Sequence, residues 1–285
     1  MLRTLPLFNL SKGLTILLFI ALTQSCKKTD SQQETSVSPE RIEQLRTSVA
    51  TSTGAALSAV QYNGLTKNFT VSNDALISLK DAQARFPENA INPSGANGSQ
   101  QRAYTYTVSR TNASNIVFYA DNTVPPEWLT ALDQAITNWN STNSLVVMKR
   151  VVATTTTTTS PRKGKKPGTP TTTTTIPPYN VMVTTLYNAS TSMVAQAYYP
   201  LYTGSAGNEV DINTYYNYLN SSYKTFAMSH ELGHIIGFTH TDQTFGNLIS
   251  GTPETDPNSV MNSVILPWAG FTNYDVLAVN TIYPK

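Results

Sequence analysis

Residues 230–242 read HELGHIIGFTHTD. His230 and His234 stand four apart, a spacing that on a helix sends both imidazoles out of one face. Glu231, one place on, reaches a water held by the same metal. Gly237 is where that helix must stop, because glycine adopts the left-handed conformation that ends a helix and reverses the chain. The turn brings His240 back as a third ligand. Three neutral nitrogens leave the fourth position of a zinc ion open for water, the arrangement of a catalytic rather than a structural site. The chain has 3 histidines and all of them fall on the ligand positions, which scattered surface or core histidines would not do.

The chemistry expected of this set is metal-assisted hydrolysis. Zinc brings the pKa of its water near neutrality and polarises a carbonyl. Glu231 takes the proton of that zinc-bound water and passes it to the leaving amine. Two other readings stand beside a zinc endopeptidase. One is a zinc-stabilised surface binding or adhesive module without catalytic activity; the other is a zinc hydrolase acting on a non-peptide bond. Glu231 counts against the first, since a structural site has no use for that carboxylate.

The elements that must position these residues begin at about residue 103. Tyr104, Tyr106 and Val108 alternate with polar residues and predict a strand, and Ile116 to Ala120 predicts a second. Pro125 and Pro126 open a helix whose Trp128, Leu129, Leu132, Ile136 and Trp139 recur at helical spacing. Strands are expected at Ser144 to Val152, Tyr179 to Leu186, Val194 to Tyr199 and Glu209 to Asn213, ahead of the helix that carries the motif. Thr272 to Asp275 fits a capping box, and Val276, Leu277, Val279 and Ile282 predict a C-terminal helix. The fold class is α+β, a mixed twisted sheet packed with an active-site helix and a C-terminal helix. Between two strands, Ala153 to Pro178 sets two threonine tracts around PRKGKKP, a composition that predicts a solvated inserted loop.

The string HExxHxxGxxH resembles the signature of the metzincin clan of zinc peptidases, and HELGHIIGFTHTD is most similar to the bacterial HEIGH-type metallopeptidases, with Leu232 in place of their Ile. The resemblance covers residues 103–285 and implies a Met-turn. Ser259 to Ser263 fits it, with Met261 as a hydrophobic floor beneath the metal. It implies that Asp242 supports the ligand loop by hydrogen bonds. It also implies a polypeptide substrate bound extended along an edge strand, here Val194 to Tyr199, with Ile265, Leu266, Pro267 and Trp268 walling the pocket past the cleaved bond. Ser263 stands where some members carry an extra tyrosine ligand. A latency cysteine on the zinc has no counterpart, because the single cysteine is Cys26.

The N-terminal part has another character. Arg3 and Lys12 precede the apolar run Gly13 to Thr23, too short for a comfortable membrane span. Gln24, Ser25 and Cys26 follow, then Lys27 and Lys28. This pattern is similar to a lipoprotein signal and predicts an exported bacterial lipoprotein of the cell envelope, held at a membrane through a lipid on Cys26. Residues 27–102 read as a polar tether followed by a small N-terminal or pro-segment, with Asn92 to Gln101 as a linker. With Arg3 and Lys12 set aside, the remaining chain balances at 17 basic against 17 acidic residues. No global field argues for nucleic acid.

Overall fold

The computed structural model of the chain describes residues 37–88, 101–158, 170–243, 246–253 and 255–285. The signal segment with Cys26, the start of the tether, residues 92–100 of the expected linker and the basic run 162–166 lie outside these residues, whereas the linker's last residue, Gln101, is described and buried. Among the described residues, no helix is long and apolar enough to cross a membrane.

Ser38 begins the ordered structure as an N-cap, its hydroxyl accepting from the amide of Arg41, and Pro39 supplies the preset first turn of α1 (Pro39–Thr53). Gly54, with φ 72°, ends it in the left-handed conformation. Three short strands follow, β1 (Val60–Asn63), β2 (Asn68–Val71) and β3 (Ala75–Ser78), then α2 (Leu79–Arg85). After residue 100 come β4 (Arg102–Ala103), α3 (Arg110–Ala113), β5 (Ile116–Ala120), α4 (Pro126–Asn140) and β6 (Met148–Val151). Next are β7 (Thr154–Thr158), β8 (Thr171–Thr175), β9 (Val181–Leu186), β10 (Ala195–Tyr198) and β11 (Glu209–Asn213). The chain finishes with α5 (Ser221–Ile235), β12 (Asn247–Leu248) and α6 (Asn273–Ile282).

One eight-stranded sheet runs in the order β1-β2-β3-β10-β11-β9-β5-β6. Strands β6, β5, β9 and β11 are mutually parallel. β10 runs antiparallel to β11. β3 then lies parallel to β10, and β1 and β2 complete an antiparallel meander. Helices α4 and α5 pack on each other, α4 against β6 and α5 against β10. Trp128, Leu132, Ile136 and Trp139 of α4 are buried as their spacing predicts, each worth about 1.5–3 kcal/mol of apolar transfer. Thr272 and Asp275 form the expected capping box at the start of α6.

Several expectations are corrected. The polar tether expected from residue 27 has given way to helix by Pro39, where α1 begins. The sheet crosses the division drawn at residue 102, because β1 to β3 belong to the same sheet as the body. The Tyr104 to Val108 alternation does not form a strand; only Arg102–Ala103 pairs, with β12. Tyr104 is instead fully buried, its ring 4.8 Å from that of Tyr199. Val194 to Tyr199 is not a sheet edge, because β3 pairs along it. In α6 the buried side chains are Asp275, Ala278 and Val279, while Leu277 is exposed. The threonine tracts, expected as loop, pair residue for residue as an antiparallel ribbon, β7 with β8. Threonine's branched Cβ favours the extended backbone, and every residue of both strands is exposed.

Candidate active site

Asn220 caps α5, its side chain accepting from the amides of Ser222 and Tyr223. The helix is buried from Lys224 to its last residue, Ile235, so the motif sits in the interior rather than on a solvated face. Gly237 follows with φ 100°; a side chain there would be strained. The amide of Tyr104 donates to the Gly237 carbonyl at 2.7 Å and fixes the turn. His240 then returns to the two helical histidines.

The three Nε2 atoms and one carboxylate oxygen of Asp74 lie within 4.8 Å of one another. His230 Nε2 is 3.1 Å from His240 Nε2. Asp74 approaches the three imidazoles at 3.6, 3.5 and 3.2 Å, in the order His230, His234, His240. A tetrahedral zinc with ligand bonds of about 2.0–2.1 Å spaces its donors roughly 3.3 Å apart, and these separations match that figure. His230 Nδ1 lies 2.7 Å from the Val260 carbonyl and His234 Nδ1 lies 2.8 Å from the Phe238 carbonyl. Each ring therefore donates its Nδ1 proton to a backbone oxygen and turns a bare Nε2 to the centre. His234 Nε2 and Asp74 Oδ1 are buried without a hydrogen-bond partner, a condition that a cation among them relieves. Burial pulls the His234 pKa down to about 4, so this ring is neutral at pH 7, as a ligand must be. His240 is also opposed by burial, but the Asp74 charge outweighs it and raises its pKa. The donor set fits zinc.

Glu231 is buried beside this centre, and its Oε2 has no hydrogen-bond partner. Burial, then the negative charges of Asp74 and Asp211, push its carboxyl well above the ordinary range. A dication among the imidazoles supplies the opposing field. A cleft of about 310 Å³ opens at Glu231 and His230, lined also by Met193, Val194, Val264 and Ile265. Of the expected wall, Ile265 lines it, whereas Trp268 turns to Phe271 at 5.3 Å.

Met261 is buried, its sulfur packed toward Gly233 of the motif helix. A Cβ on Gly233 would come within 2.3 Å of the Met261 sulfur, so that glycine is what lets the helix sit down on the Met-turn. The Met261 carbonyl accepts from Thr241 at 2.9 Å, tying the turn to the His240 loop. Asp242 accepts from the Ser263 amide at 3.0 Å and from the Ser263 hydroxyl. It thus joins the ligand loop to the Met-turn, and Ser263 is spent on that contact.

Two site residues were not read from the sequence. Asp74 comes from the far N-terminal segment. Ser72-Asn73-Asp74 is readable as a turn, but nothing local says where the turn points. Asp275 was seen only as a helix cap. It also accepts from the Ser259 hydroxyl at 2.6 Å and the Val260 amide at 3.1 Å, and so holds the residue whose carbonyl orients His230.

The sheet, the buried motif helix, the third histidine after a glycine turn and the methionine beneath them define a zinc metallopeptidase of the metzincin type. The chain belongs to the dual-action HEIGH metallo-peptidases, whose family model matches residues 69–246. That span begins inside β2 and contains Asp74 together with the three histidines. Among solved structures, the chain is similar to myroilysin, at 14% identity over 61% of this chain and 81% of that one, TM-score 0.39. It is also similar to high choriolytic enzyme 1, a hatching-enzyme zinc protease of the medaka fish Oryzias latipes, at 13% identity over 62% and 93%, TM-score 0.36. No curated protein matches the sequence.

Proposed function

We propose that the chain is an endopeptidase in which His230, His234 and His240 hold the zinc and Glu231 is the general base. The observation that carries this reading is the convergence of three imidazole nitrogens beside one buried carboxylate whose Oε2 has no hydrogen-bond partner. When bound, the metal supplies Lewis-acid polarisation of the scissile carbonyl and acidifies water. Glu231 accepts the proton of the attacking water and delivers it to the leaving amine. Val260 and Phe238, through their carbonyls, keep two of the imidazoles in the ligating tautomer. Gly237, Met261 and Asp242 act as supports: the turn, the floor and the tie between loop and floor. The substrate is a polypeptide, with an apolar side chain in the cleft beside Met193, Val264 and Ile265.

The test is Glu231→Gln, which keeps size and reach but cannot take the proton. Zinc content is expected to hold while peptide turnover falls by about 10²–10⁴-fold. Equal turnover in variant and wild type would remove Glu231 from the reaction.

Localisation is proposed from the residues of the N-terminal segment. Arg3, Lys12, the apolar run and Cys26 support export and a lipid anchor in the cell envelope. Cys26→Ala is expected to move the protein from the membrane to the soluble fraction; unchanged fractionation would reject the anchor.

A further inference from the structure

We infer that Tyr187, Tyr215, Tyr216 and Tyr218 form a docking platform that receives the substrate polypeptide beyond the cleft, through prolyl and aromatic residues of that polypeptide. This rests on the reading of the cleft beside Glu231 as the place of a polypeptide substrate.

The four rings come from two loops and touch one another. Tyr187 follows β9, and the others belong to the 3-10 turn Thr214–Tyr218. The centroids of Tyr187 and Tyr215 are 6.1 Å apart, those of Tyr215 and Tyr218 6.1 Å, and those of Tyr215 and Tyr216 5.1 Å. Tyr187 and Tyr218 are 72% and 71% exposed. A single exposed aromatic needs no explanation, but a contiguous group of them marks an interaction surface. Each of these three pairs is perpendicular to within about 11°, so ring faces stand open beside ring edges, the geometry that accepts another flat ring.

The platform is braced from below. Asn213 is fully buried. Its side-chain amide donates to the carbonyls of Asn188 and Met193 at 2.8 and 3.0 Å, and its oxygen accepts from the amides of Asn188 and Tyr215 at 2.9 and 3.2 Å. One side chain thus locks both loops together. Asn217 accepts from the Trp128 indole at 2.8 Å through its side chain and from Lys224 at 2.8 Å through its carbonyl. Rings held on a fixed backbone lose little entropy when they take a ligand.

Continuity with the cleft identifies the occupant. Tyr216 donates its hydroxyl proton to the Thr191 carbonyl at 2.7 Å, and the next residues, Ser192 to Ala195, are cleft wall. A polypeptide leaving the cleft over that wall meets the tyrosines. Residues 187–192 and 213–220 contain no Asp, Glu, Lys or Arg, so recognition there is by stacking and not by charge. Proline-rich segments suit such a surface, because their extended helix is formed before binding and they dock on aromatic-lined grooves.

The experiment uses the full chain and a fluorescein-labelled Gln-Pro-Phe repeat peptide, with the Gln-Ser-Ser repeat as control. Fluorescence polarisation compares wild type, the double variant Tyr187→Ser with Tyr218→Ser, and the double variant Tyr187→Phe with Tyr218→Phe. Truncating tyrosine anchors is expected to weaken Gln-Pro-Phe binding at least about tenfold. The phenylalanine variant should keep it, and the Gln-Ser-Ser peptide should not bind. In wild type, the Gln-Pro-Phe peptide should suppress nitration of Tyr187 and Tyr218 by tetranitromethane, mapped by mass spectrometry; this holds even if the serine variant misfolds. Equal affinity in the serine variant, or unchanged nitration, would overturn the inference. So would cellohexaose binding at these tyrosines without peptide binding, which would make them a glycan platform. Self-association of wild type, abolished in the serine variant and unaffected by the peptide, would overturn it in favour of a contact between copies. None of these readouts involves cleavage. If the tyrosines bound the peptide but the chain cleaved no peptide, the platform would stand and the peptidase reading would fall; cleavage with tyrosine-independent binding would give the reverse.

Discussion

The threonine ribbon β7–β8 and the meander β1–β3 are both made of short strands joined by turns, and they are held by opposite means. All ten ribbon residues are exposed, and the described cross-strand side-chain contacts are long hydroxyl pairs, Thr155 with Thr174 at 3.4 Å and Thr157 with Thr172 at 3.3 Å. The meander buries Val60, Phe69, Val71, Ala75, Leu76 and Ile77 and joins the main sheet through β10. Threonine gives the ribbon its backbone preference and nothing to bury, and a lone two-stranded hairpin is marginal in water. The meander has the apolar surface that makes β structure cooperative with a core. One region can therefore be altered without consequence for the other, and of the two it is the meander that carries a residue, Asp74, to the histidines.

The largest expected effect is on the meander's core. Phe69 is fully buried, with its ring 4.9 Å from that of Tyr62. Phe69→Ala removes its transfer energy and leaves a cavity, a change that costs about 3–5 kcal/mol. Urea denaturation should show that loss in a single transition. A loss under about 1 kcal/mol, far below the usual range, would mean that the meander is a loose appendage like the ribbon.

How much of this was legible follows from element length and burial. The motif helix, α4 and the capping box of α6 announce themselves because their signals span several turns or use residue types with one purpose. Each meander strand has only four residues. Ala75-Leu76-Ile77 is a continuous apolar run with no period, so alternation cannot identify it. The signal for α1, Ser38-Pro39-Glu40, was present: an N-cap hydroxyl, a proline at the first position and an acid in the first turn. A polar composition masked it. Asp74 was beyond reach for a different reason. Its partners are more than 150 positions away, and only the sheet pairing of β3 with β10 brings them together.

A smaller effect concerns the junction between meander and body. Glu209 and Asp211 on β11 lie near Tyr198, whose hydroxyl accepts from Asn68. Burial, then the Asp211 charge, raises the Glu209 pKa to about 7, and burial raises Asp211 as well. Between the ordinary carboxyl value of 4.5 and about 7, the folded chain holds a proton on Glu209 that the unfolded chain has released. Stability from this group is complete below the unfolded value and is lost as pH rises through the folded one. Glu209→Gln should therefore flatten the fall in melting temperature over that window and leave the variant the more stable form at pH 8. Parallel pH profiles for variant and wild type would show that the carboxyl titrates normally.

The smallest expected effect is on the ribbon, and it is the sharpest test of the comparison. Thr154 and Thr175 are Cα partners at the base of the ribbon, so the chain can be closed there by a two-residue Asn-Gly turn without moving β6 or β9. The excised strands bury nothing. Surface changes that remove no burial, cap or network stay within about 0.5 kcal/mol. Replacing Thr154 to Thr175 with Asn-Gly should thus leave the urea midpoint and the metal content unchanged. A shift equivalent to about 2 kcal/mol lies well outside that surface range. It would show that the ribbon, despite its exposure, closes some part of the body, and it would remove the distinction between the two regions.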